Sequence, residues 1–564
     1  MTEKNRQSPP DETGLVPRGA EPAKEILSQS GSVALSRILA LKDPDAFVRN
    51  MARVDLYWLV KKIGEQDALP ILQMASSEQW EFILDLELWK KDRLDLGQAG
   101  AWMDRLLHAD PDRLVRWLLK EGEYFTYYYL SKTLHVEFKT KDEMMDVEEG
   151  FITLDGIYYL KFLDPEHEDV LRSLLQHLAS KDYLRYHAIL MGLCGVVPAE
   201  VEEEMYRRRN VRLAEDGFLP YEEAVSVYAA LKKDLLKASP SVAPTGPVVS
   251  QQEERVQAPL MPILHVSEKT LMVEATRRSG DLLLLDRITL EFAGLCSQVF
   301  SAEGVPGNTP EALVQTVRRT AGYVNVGLER WCGRDLALCE KVLRHNPLID
   351  LFRSGFSLAL ELRWETEAWL KKAWFVRRGF RPSFWGEEWG ATLVGVVQKR
   401  PVLFDRSQKQ EPYRSFETLE EIDACRKAMG RLRLLDRLLE RLAEQYPLFS
   451  FHSLIFNVWA RKQLKAQPGF APLSLDQVRD LFRLLRSGSQ KPPYGMPGFK
   501  EVFVRDFISL SEDVQGADRD LLEETLGILW DKFADEYALV GTADLNGRFL
   551  RFILSSPSPA SAPR

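Results

Sequence analysis

The sequence predicts a mainly α protein: an irregular multi-helical array in two regions, with one small β-hairpin near residues 150–160. Three observations predict this class: a helix-opening motif that occurs three times, amphipathic leucine patterns, and one Asp-Gly step between β-prone residues. Each opener has an aspartate that can cap a helix, a proline suited to the first helical position, and an acidic residue that favours the positive end of the helix dipole. The three openers are Asp43-Pro44-Asp45, Asp110-Pro111-Asp112 and Asp164-Pro165-Glu166.

Caps and periodicity predict further helices in the first part of the chain. Ser76 and Gln79 have the spacing of a capping box in front of an apolar run. Asp95 precedes a stretch in which apolar residues recur at helical spacing, which predicts one buried stripe. That stripe consists of Ala99, Trp102, Met103, Leu106 and Leu107. The same spacing follows the third opener at Leu171, Leu174, Leu175 and Leu178.

One segment breaks the helical pattern. Residues 151–160 place Asp155-Gly156 between two β-prone arms, which is a strong short-range signal for a hairpin. We therefore predict a two-residue turn at Asp155-Gly156.

The C-terminal part is also predicted to be helical. Residues 431–446 and 523–537 are amphipathic at helical spacing. Between them, residues 490–498 are so rich in proline and glycine that a loop is predicted. The apolar positions of the two helices are Leu432, Leu435, Leu438, Leu439 and Leu442, then Leu526, Leu529, Trp530 and Phe533.

Composition predicts how the chain divides. Residues 1–24 and 555–564 are polar or rich in Ser, Pro and Ala, and are predicted to be disordered tails. Residues 238–262 contain five prolines and are predicted to be a linker. The linker separates an N-terminal helical domain, 25–237, from a C-terminal helical domain, 263–554. The openers lie 67 and then 54 residues apart, so the spacing does not keep the fixed period of a solenoid.

Charge and cysteine usage limit the function classes. The net charge is −9, which argues against a general nucleic-acid binder. The start is polar and acidic, unlike a signal peptide, and no apolar run approaches the ~20 residues of a membrane helix. Five scattered cysteines without a CxxC pair are typical of reduced thiols, so a cytoplasmic location without membrane insertion is predicted. They are Cys194, Cys296, Cys332, Cys339 and Cys425.

Two resemblances accompany these patterns. Residues 68–92, with their short leucine-rich helices, resemble the N-terminal superhelical domain of MgtE-type magnesium transporters over about residues 67–120. Together with residues 212–224, the same stretch resembles an uncharacterised bacterial family defined only as a domain of unknown function, over about residues 30–553. The first resemblance implies at most a regulatory or interaction module. The second implies no activity, cofactor or catalytic residue.

Motifs for chemistry are absent from the sequence. It contains no HExxH, GxSxG, P-loop or GxGxxG pattern, so no catalytic residue, metal site or cofactor is predicted. Acids surround His167, but at a helix start they serve the dipole. Cys332 and Cys339, seven residues apart, are predicted to share one helix face. A redox or metal pair is one interpretation, and two small core residues is the favoured one.

Two aromatic segments are candidates for binding. Residues 374–385 interleave arginines with aromatics, which suits an anion or a single strand, although basic residues at a helix end also complement the dipole. The candidate anion-binding residues there are Arg377, Arg378 and Arg381. Residues 124–130 are an aromatic run, for which burial in the core is favoured over a contact surface.

These observations favour a non-catalytic cytosolic scaffold or regulatory protein that binds another protein. The alternative is an enzyme of unrecognised type with an anion-binding site near the segment from Arg377 to Trp385.

Overall fold

The chain is mainly α-helical, as predicted, and divides into two compact units, Met1–Gly355 and Phe356–Arg564. The fold is known from a computed structural model. The residues that it describes are 15–16, 20–138, 150–193, 198–231, 258–304, 308–408, 410–442, 450–467, 471–486 and 491–556.

The first unit is built almost wholly of short helices. They are α1 (Glu21–Leu27), α2 (Gly31–Leu39), α3 (Pro44–Arg49), α4 (Arg53–Ile63), α5 (Leu69–Met74), α6 (Ser77–Glu87), α7 (Leu96–Ala109), α8 (Pro111–Leu118), α9 (Glu123–Thr133), α10 (Glu168–Lys181), α11 (Tyr183–Gly192), α12 (Pro198–Ala214), α13 (Tyr221–Ala224), α14 (Leu271–Ser279), α15 (Leu282–Glu303), α16 (Pro310–Cys332) and α17 (Leu336–His345).

The unit boundary falls within α18 (Leu348–Leu370). The second unit continues with α19 (Trp374–Arg377), α20 (Gly386–Val396), α21 (Leu419–Leu442), α22 (Phe451–Gln463), α23 (Leu475–Leu485), α24 (Phe499–Ile508) and α25 (Ala517–Tyr537). The short strands of the chain are β1 (Trp89–Lys90), β2 (Arg93–Leu94), β3 (Leu134–Phe138), β4 (Ile152–Thr153), β5 (Tyr158–Phe162), β6 (Leu403–Phe404) and β7 (Tyr413–Arg414).

The predicted helix starts are confirmed by their capping bonds. The carboxylates of Asp43 and Asp110 accept the backbone N–H groups of Ala46 and Arg113, at 3.0 and 2.9 Å. At the third opener, Asp164 instead caps a single 3-10 turn that leads into α10. The capping box of α6 is complete, because Ser76 and Gln79 bond each other's backbone N–H groups.

Each unit has its own aromatic and aliphatic core. In the first unit, Trp58 of α4 meets Phe300 of α15 edge to face at 5.3 Å. In the second, the ring of Phe456 stacks on that of Phe533 at 4.4 Å. The predicted stripes of α7 and α10 are buried, as are the inward leucines of α21 and the apolar positions of α25. Residues 491–498 form a loop, as predicted, and residues 443–449 and 490 lie outside the described residues.

The predicted hairpin is present, but its turn differs from the prediction. Strands β4 and β5 pair antiparallel with Thr153 opposite Tyr159, and four residues, 154–157, connect the two strands where two were predicted. The carboxylate of Asp155 accepts the N–H groups of Ile157 and Tyr158, at 2.9 and 3.0 Å, which replaces the ladder bonds of a tighter turn. Gly156 has the expected positive φ of 75°. Strand β3 pairs with the other side of β5, completing a three-stranded sheet.

The predicted domain boundaries remain predictions, and several fall outside the described residues. Residues 1–14, 17–19, 232–257 and 557–564 are not described, whereas α1 begins at Glu21, inside the predicted N-terminal tail. At the end of the predicted linker, Leu260 and Met261 are buried in the first unit. Their backbone N–H groups donate to the buried carboxylate of Asp55 on α4, at 2.8 and 2.7 Å.

Among the helices of the described residues, none is both long enough and apolar enough to cross a bilayer.

Candidate functional site

A narrow cleft in the first unit combines aromatic walls with charged side chains. It lies between α6, the β1–β2 hairpin, the turn from α8 to α9, and α12. The apolar lining consists of Leu84, Leu88, Trp89, Leu94, Trp117, Tyr124, Phe125 and Met205. The charged lining consists of Glu81, Asp85, Glu121, Arg208 and Arg212.

Two local features shape the walls. Gly122 lies in the turn between α8 and α9, where an added Cβ would come within 2.8 Å of the Trp117 ring, so the ring can pack on the turn only because the residue is glycine. Glu202 of α12 holds the other side, since its carboxylate accepts the N–H of Leu94 at 3.0 Å and the hydroxyl of Tyr128 at 2.8 Å. The hairpin and α9 are thereby fixed against α12.

The charged floor is organised by Arg212. Its Nε and Nη2 atoms donate to Oδ2 and Oδ1 of Asp85, each at 2.7 Å, and Nη1 lies 3.4 Å from Oε1 of Glu81. Burial raises the pKa of both carboxyl groups, and the guanidinium opposes the rise. Arg209, one turn earlier, donates from Nε to the backbone carbonyl of Asp85 at 2.6 Å. Two arginines therefore tie α12 to α6 at one point.

The rim is organised by Arg208. Its guanidinium lies over the Tyr124 ring, 4.3 Å from the centroid, and Nε donates to Glu204 at 2.6 Å. Hydrogen bonds from Arg207 and Arg208 lower the pKa of Glu204 to about 2. Tyr124 is 37 % exposed, whereas the rest of its aromatic run is mostly buried: Phe125, Tyr128, Tyr129 and Leu130 lie in the core.

The cleft can recognise an apolar group between charged ones. Arg212 bonds both oxygens of Asp85, so this carboxylate is held against α12 as part of the wall. The arginine run at 207–209 was the available signal in the sequence. Asp85, which Arg209 and Arg212 both bond, lies over a hundred residues away, so spacing could not have identified it.

The predicted anion site has a different geometry from the one its sequence suggests. The arginines and aromatics of residues 374–385 separate: Arg377, Arg378 and Arg381 are exposed, whereas Trp374, Phe375, Phe384 and Trp385 are buried. Arg377 pairs with Glu440 of α21. These four rings are thus unavailable for stacking on a base, and anion binding by the three arginines remains a prediction.

A buried acid anchors this segment, and sequence reasoning missed it. The carboxylate of Asp436, on α21, accepts the N–H groups of Trp374 and Phe375, at 2.9 and 3.0 Å. It is 4 % exposed, and burial raises its pKa. The contact spans about sixty residues of chain, so no local pattern announces it.

His167, singled out from the sequence, and His187 both have structural partners. His167 bonds the carboxylate of Asp164 at 2.9 Å, and its ring packs where a Cβ on Gly100 would clash. His187 meets the hydroxyl of Tyr158 at 3.1 Å. In the described part of the chain, no three His, Cys, Asp or Glu residues converge in a way that could hold a metal ion.

The two cysteines at 332 and 339 do not share a helix face. Cys332 is the last residue of α16 and Cys339 lies on α17, because Gly333 ends the first helix and Asp335 caps the second. Both are buried, as the core interpretation expects.

Comparison with known proteins gives one match. The model of a family of unknown function, DUF6178, matches residues 15–556. No curated protein and no solved structure matches the chain. The resemblance to the magnesium-transporter domain therefore gains no support.

Proposed function

The chain belongs to the DUF6178 family of unknown function, and we propose that it is a non-catalytic interaction protein whose first unit binds another protein in the cleft between α6 and α12. The partner inserts an apolar side chain between the aromatic walls. Charged residues beside that side chain meet Glu121 and Arg208 at the rim.

The pairing of Asp85 with Arg212 carries this proposal. A catalytic carboxylate directs an oxygen or a proton at the substrate. Both oxygens of Asp85 are instead bonded to a single guanidinium, and Arg208 is likewise held by Glu204. The charges of the cleft therefore support its walls, which suits recognition better than chemistry.

The composition of the cleft supports protein binding in particular. Tyrosine, tryptophan, methionine and arginine are the residue types enriched at protein interfaces, and all four line this cleft. Arg208 and Tyr124 also stack on each other at the rim, so binding would order few additional rotamers.

A photo-crosslinking experiment tests the proposal. A benzophenone amino acid replaces Tyr124 in the full chain, and in a matched control it replaces Tyr221 of α13, which is 47 % exposed but does not line the cleft. Irradiation in cells of the source organism is followed by mass spectrometry of the crosslinked species.

We expect a discrete protein crosslinked at position 124 and absent at position 221. Crosslinking of the same proteins at both positions, or of none at position 124, would overturn the proposal.

A further inference from the structure

Residues 551–556 of the second unit lie in a groove between α22 and α25, outside any helix or named strand. Two consecutive apolar side chains anchor this segment, because Phe552 is 5 % exposed and Ile553 is 1 % exposed. Three aromatic rings of the groove lie near the Phe552 ring, with centroids 4.8, 5.6 and 6.0 Å away: those of His452, Phe456 and Phe533.

The backbone of the segment is bound at every second residue. The bound N–H groups are those of Phe552, Leu554 and Ser556. Their acceptors are, in the same order, the hydroxyl of Tyr537 at 3.3 Å, Oδ1 of Asn457 at 2.7 Å and the backbone carbonyl of Leu473 at 2.9 Å. A period of two is that of an extended peptide added to the edge of a sheet.

Asn457 of α22 takes the place of a neighbouring strand. Its side chain is fully buried, and Nδ2 donates to the carbonyl of Leu554 at 3.1 Å while Oδ1 accepts the N–H of the same residue. The backbone N–H of Leu473 donates to that carbonyl as well, at 2.9 Å. None of these bonds involves the Leu554 side chain, so the groove recognises an extended backbone at this position.

These contacts define what could replace the segment. If residues 551–556 leave, the buried amide of Asn457 loses both partners and the apolar surface beneath Phe552 and Ile553 is uncovered, and both changes are unfavourable. A replacement therefore has to bring an extended backbone with free N–H and C=O groups, and an aromatic side chain followed by an aliphatic one.

The segment can leave without the unfolding of a helix. Residues 538–550 connect it to α25 and include a short 3-10 turn, Gly547–Phe549. In this connection Leu539 is 76 % exposed and Phe549 is 78 % exposed. Local opening would therefore break mainly the contacts of the segment itself.

We propose that the groove between α22 and α25 is a peptide-binding site, which residues 551–556 close in cis and which an extended segment of a partner protein occupies in trans. The partner segment carries an aromatic–aliphatic pair, and the second residue after the aromatic one is not proline. The site lies in the second unit and does not depend on the proposed function of the cleft in the first unit. A partner protein is favoured over a second copy of the chain because exchange between copies is promoted by short, strained hinges, and residues 538–550 form a long one.

The tether makes the segment a competitor of any partner. A flexible tether holds its end at an effective concentration on the order of millimolar. A free peptide should therefore bind the wild-type chain weakly, and a chain whose own segment is weakened should bind it more tightly.

Fluorescence anisotropy tests this competition with a labelled peptide of residues 550–556 and the full chain. The Phe552→Ala, Ile553→Ala variant weakens the segment and leaves the groove intact. The Leu539→Ala, Phe549→Ala variant is the matched control, since it removes the same kinds of side chain at exposed positions. We expect the first variant to bind the peptide about tenfold more tightly, or more, than the wild type and the control do.

A modified peptide tests the recognition of the backbone. Methylation of the backbone nitrogen at the position of Leu554 removes the N–H that Asn457 accepts and keeps every side chain. We expect this peptide to bind the first variant about tenfold more weakly than the unmodified peptide. Equal binding of the two peptides, or equal binding of the unmodified peptide to all three chains, would overturn the proposal.

Crosslinking to the wild-type chain gives a test that needs no protein variant. A peptide with a benzophenone amino acid at the position of Phe552 should attach within residues 451–463 or 517–537, and an excess of the unmodified peptide should suppress the attachment. Attachment elsewhere would overturn the proposal. So would a wild-type dimer that the Phe552→Ala, Ile553→Ala substitution dissociates, because it would assign the groove to a second copy.

Discussion

Arg212 and Asp85 lie 127 residues apart in the sequence and meet through two parallel hydrogen bonds of 2.7 Å. The pair links the end of α12 to α6, and so keeps these two walls of the cleft in contact. Removal of Arg212 would leave the Asp85 carboxylate without a compensating charge, in a site where burial already raises the pKa of that carboxyl group. Several consequences can be measured.

Arg212→Ala should lower the free energy of unfolding of the first unit by about 2 kcal/mol. This loss is smaller than that expected on breaking a fully buried ion pair, because the arginine is partly exposed. The matched control is Arg207→Ala, whose exposed ion pair with Glu204 is screened by solvent and should contribute clearly less. Urea denaturation followed by tryptophan fluorescence gives both values. Equal effects of the two substitutions would show that the Arg212–Asp85 pair does not hold the cleft together.

Asp55 should make the stability of the first unit depend on pH. Burial raises the pKa of its carboxyl to about 7 in the folded chain, against about 3.9 when unfolded. The folded state therefore binds a proton that the unfolded state lacks between these values, so stability is highest at the acidic end and falls as the pH rises towards 7.

The Asp55→Asn variant isolates this effect, because it cannot titrate. Between pH 5 and 7 the wild-type free energy of unfolding should fall relative to that of the variant, by up to about 1.4 kcal/mol per pH unit. Urea midpoints at several pH values measure the difference. Parallel pH profiles for the two proteins would rule out a titrating Asp55.

Local features of the fold were predictable from the sequence, and long-range ones were not. The Asp-Pro openers, the capping box at Ser76 and the apolar stripes depend on residues three or four apart, so spacing reveals them. The turn at Asp155 was predicted two residues too short because the Asp155 side chain competes with the ladder for backbone N–H groups. The contacts of Asp55 with Leu260 and of Arg212 with Asp85 cross more than a hundred residues, and no single sequence displays them.

Cleavage within residues 240–257 should leave two folded fragments that stay associated. The linker composition favours protease entry there, and Asp55 on the first fragment binds the backbone of Leu260 and Met261 on the second. Limited proteolysis with size-exclusion chromatography under native and denaturing conditions checks both points. Digestion of either part without a stable fragment would show that the predicted linker is no domain boundary.

The predicted anion site at Arg377, Arg378 and Arg381 should respond to ligands if it exists. A bound anion stabilises the folded state by mass action and so raises the melting temperature. At an anion concentration a hundred times the dissociation constant, the stabilisation is about 2.7 kcal/mol. A thermal-shift screen with nucleotides, phosphosugars and short single strands compares the wild type with the Arg378→Ala, Arg381→Ala double variant. The Lys371→Ala, Lys372→Ala variant, at the nearby end of α18, controls for general loss of positive charge.

An anion that stabilises the wild type and the lysine control, but not the arginine variant, would favour the alternative of an enzyme with an anion-binding site. Equal stabilisation of all three proteins, or of none, would remove it.

Binding of a protein partner in the cleft can be tested by comparing the wild type with two variants in one capture experiment. Tyr124→Lys removes an aromatic wall and places a positive charge beside Arg208, whereas Tyr221→Lys makes the same change at an exposed tyrosine outside the cleft. Each variant and the wild type are used to capture partners from extract, with recovery quantified by mass spectrometry after equal folding is checked by circular dichroism. A protein recovered with the wild type and with Tyr221→Lys should be lost with Tyr124→Lys. Equal recovery with all three proteins would show that the cleft does not bind a protein partner.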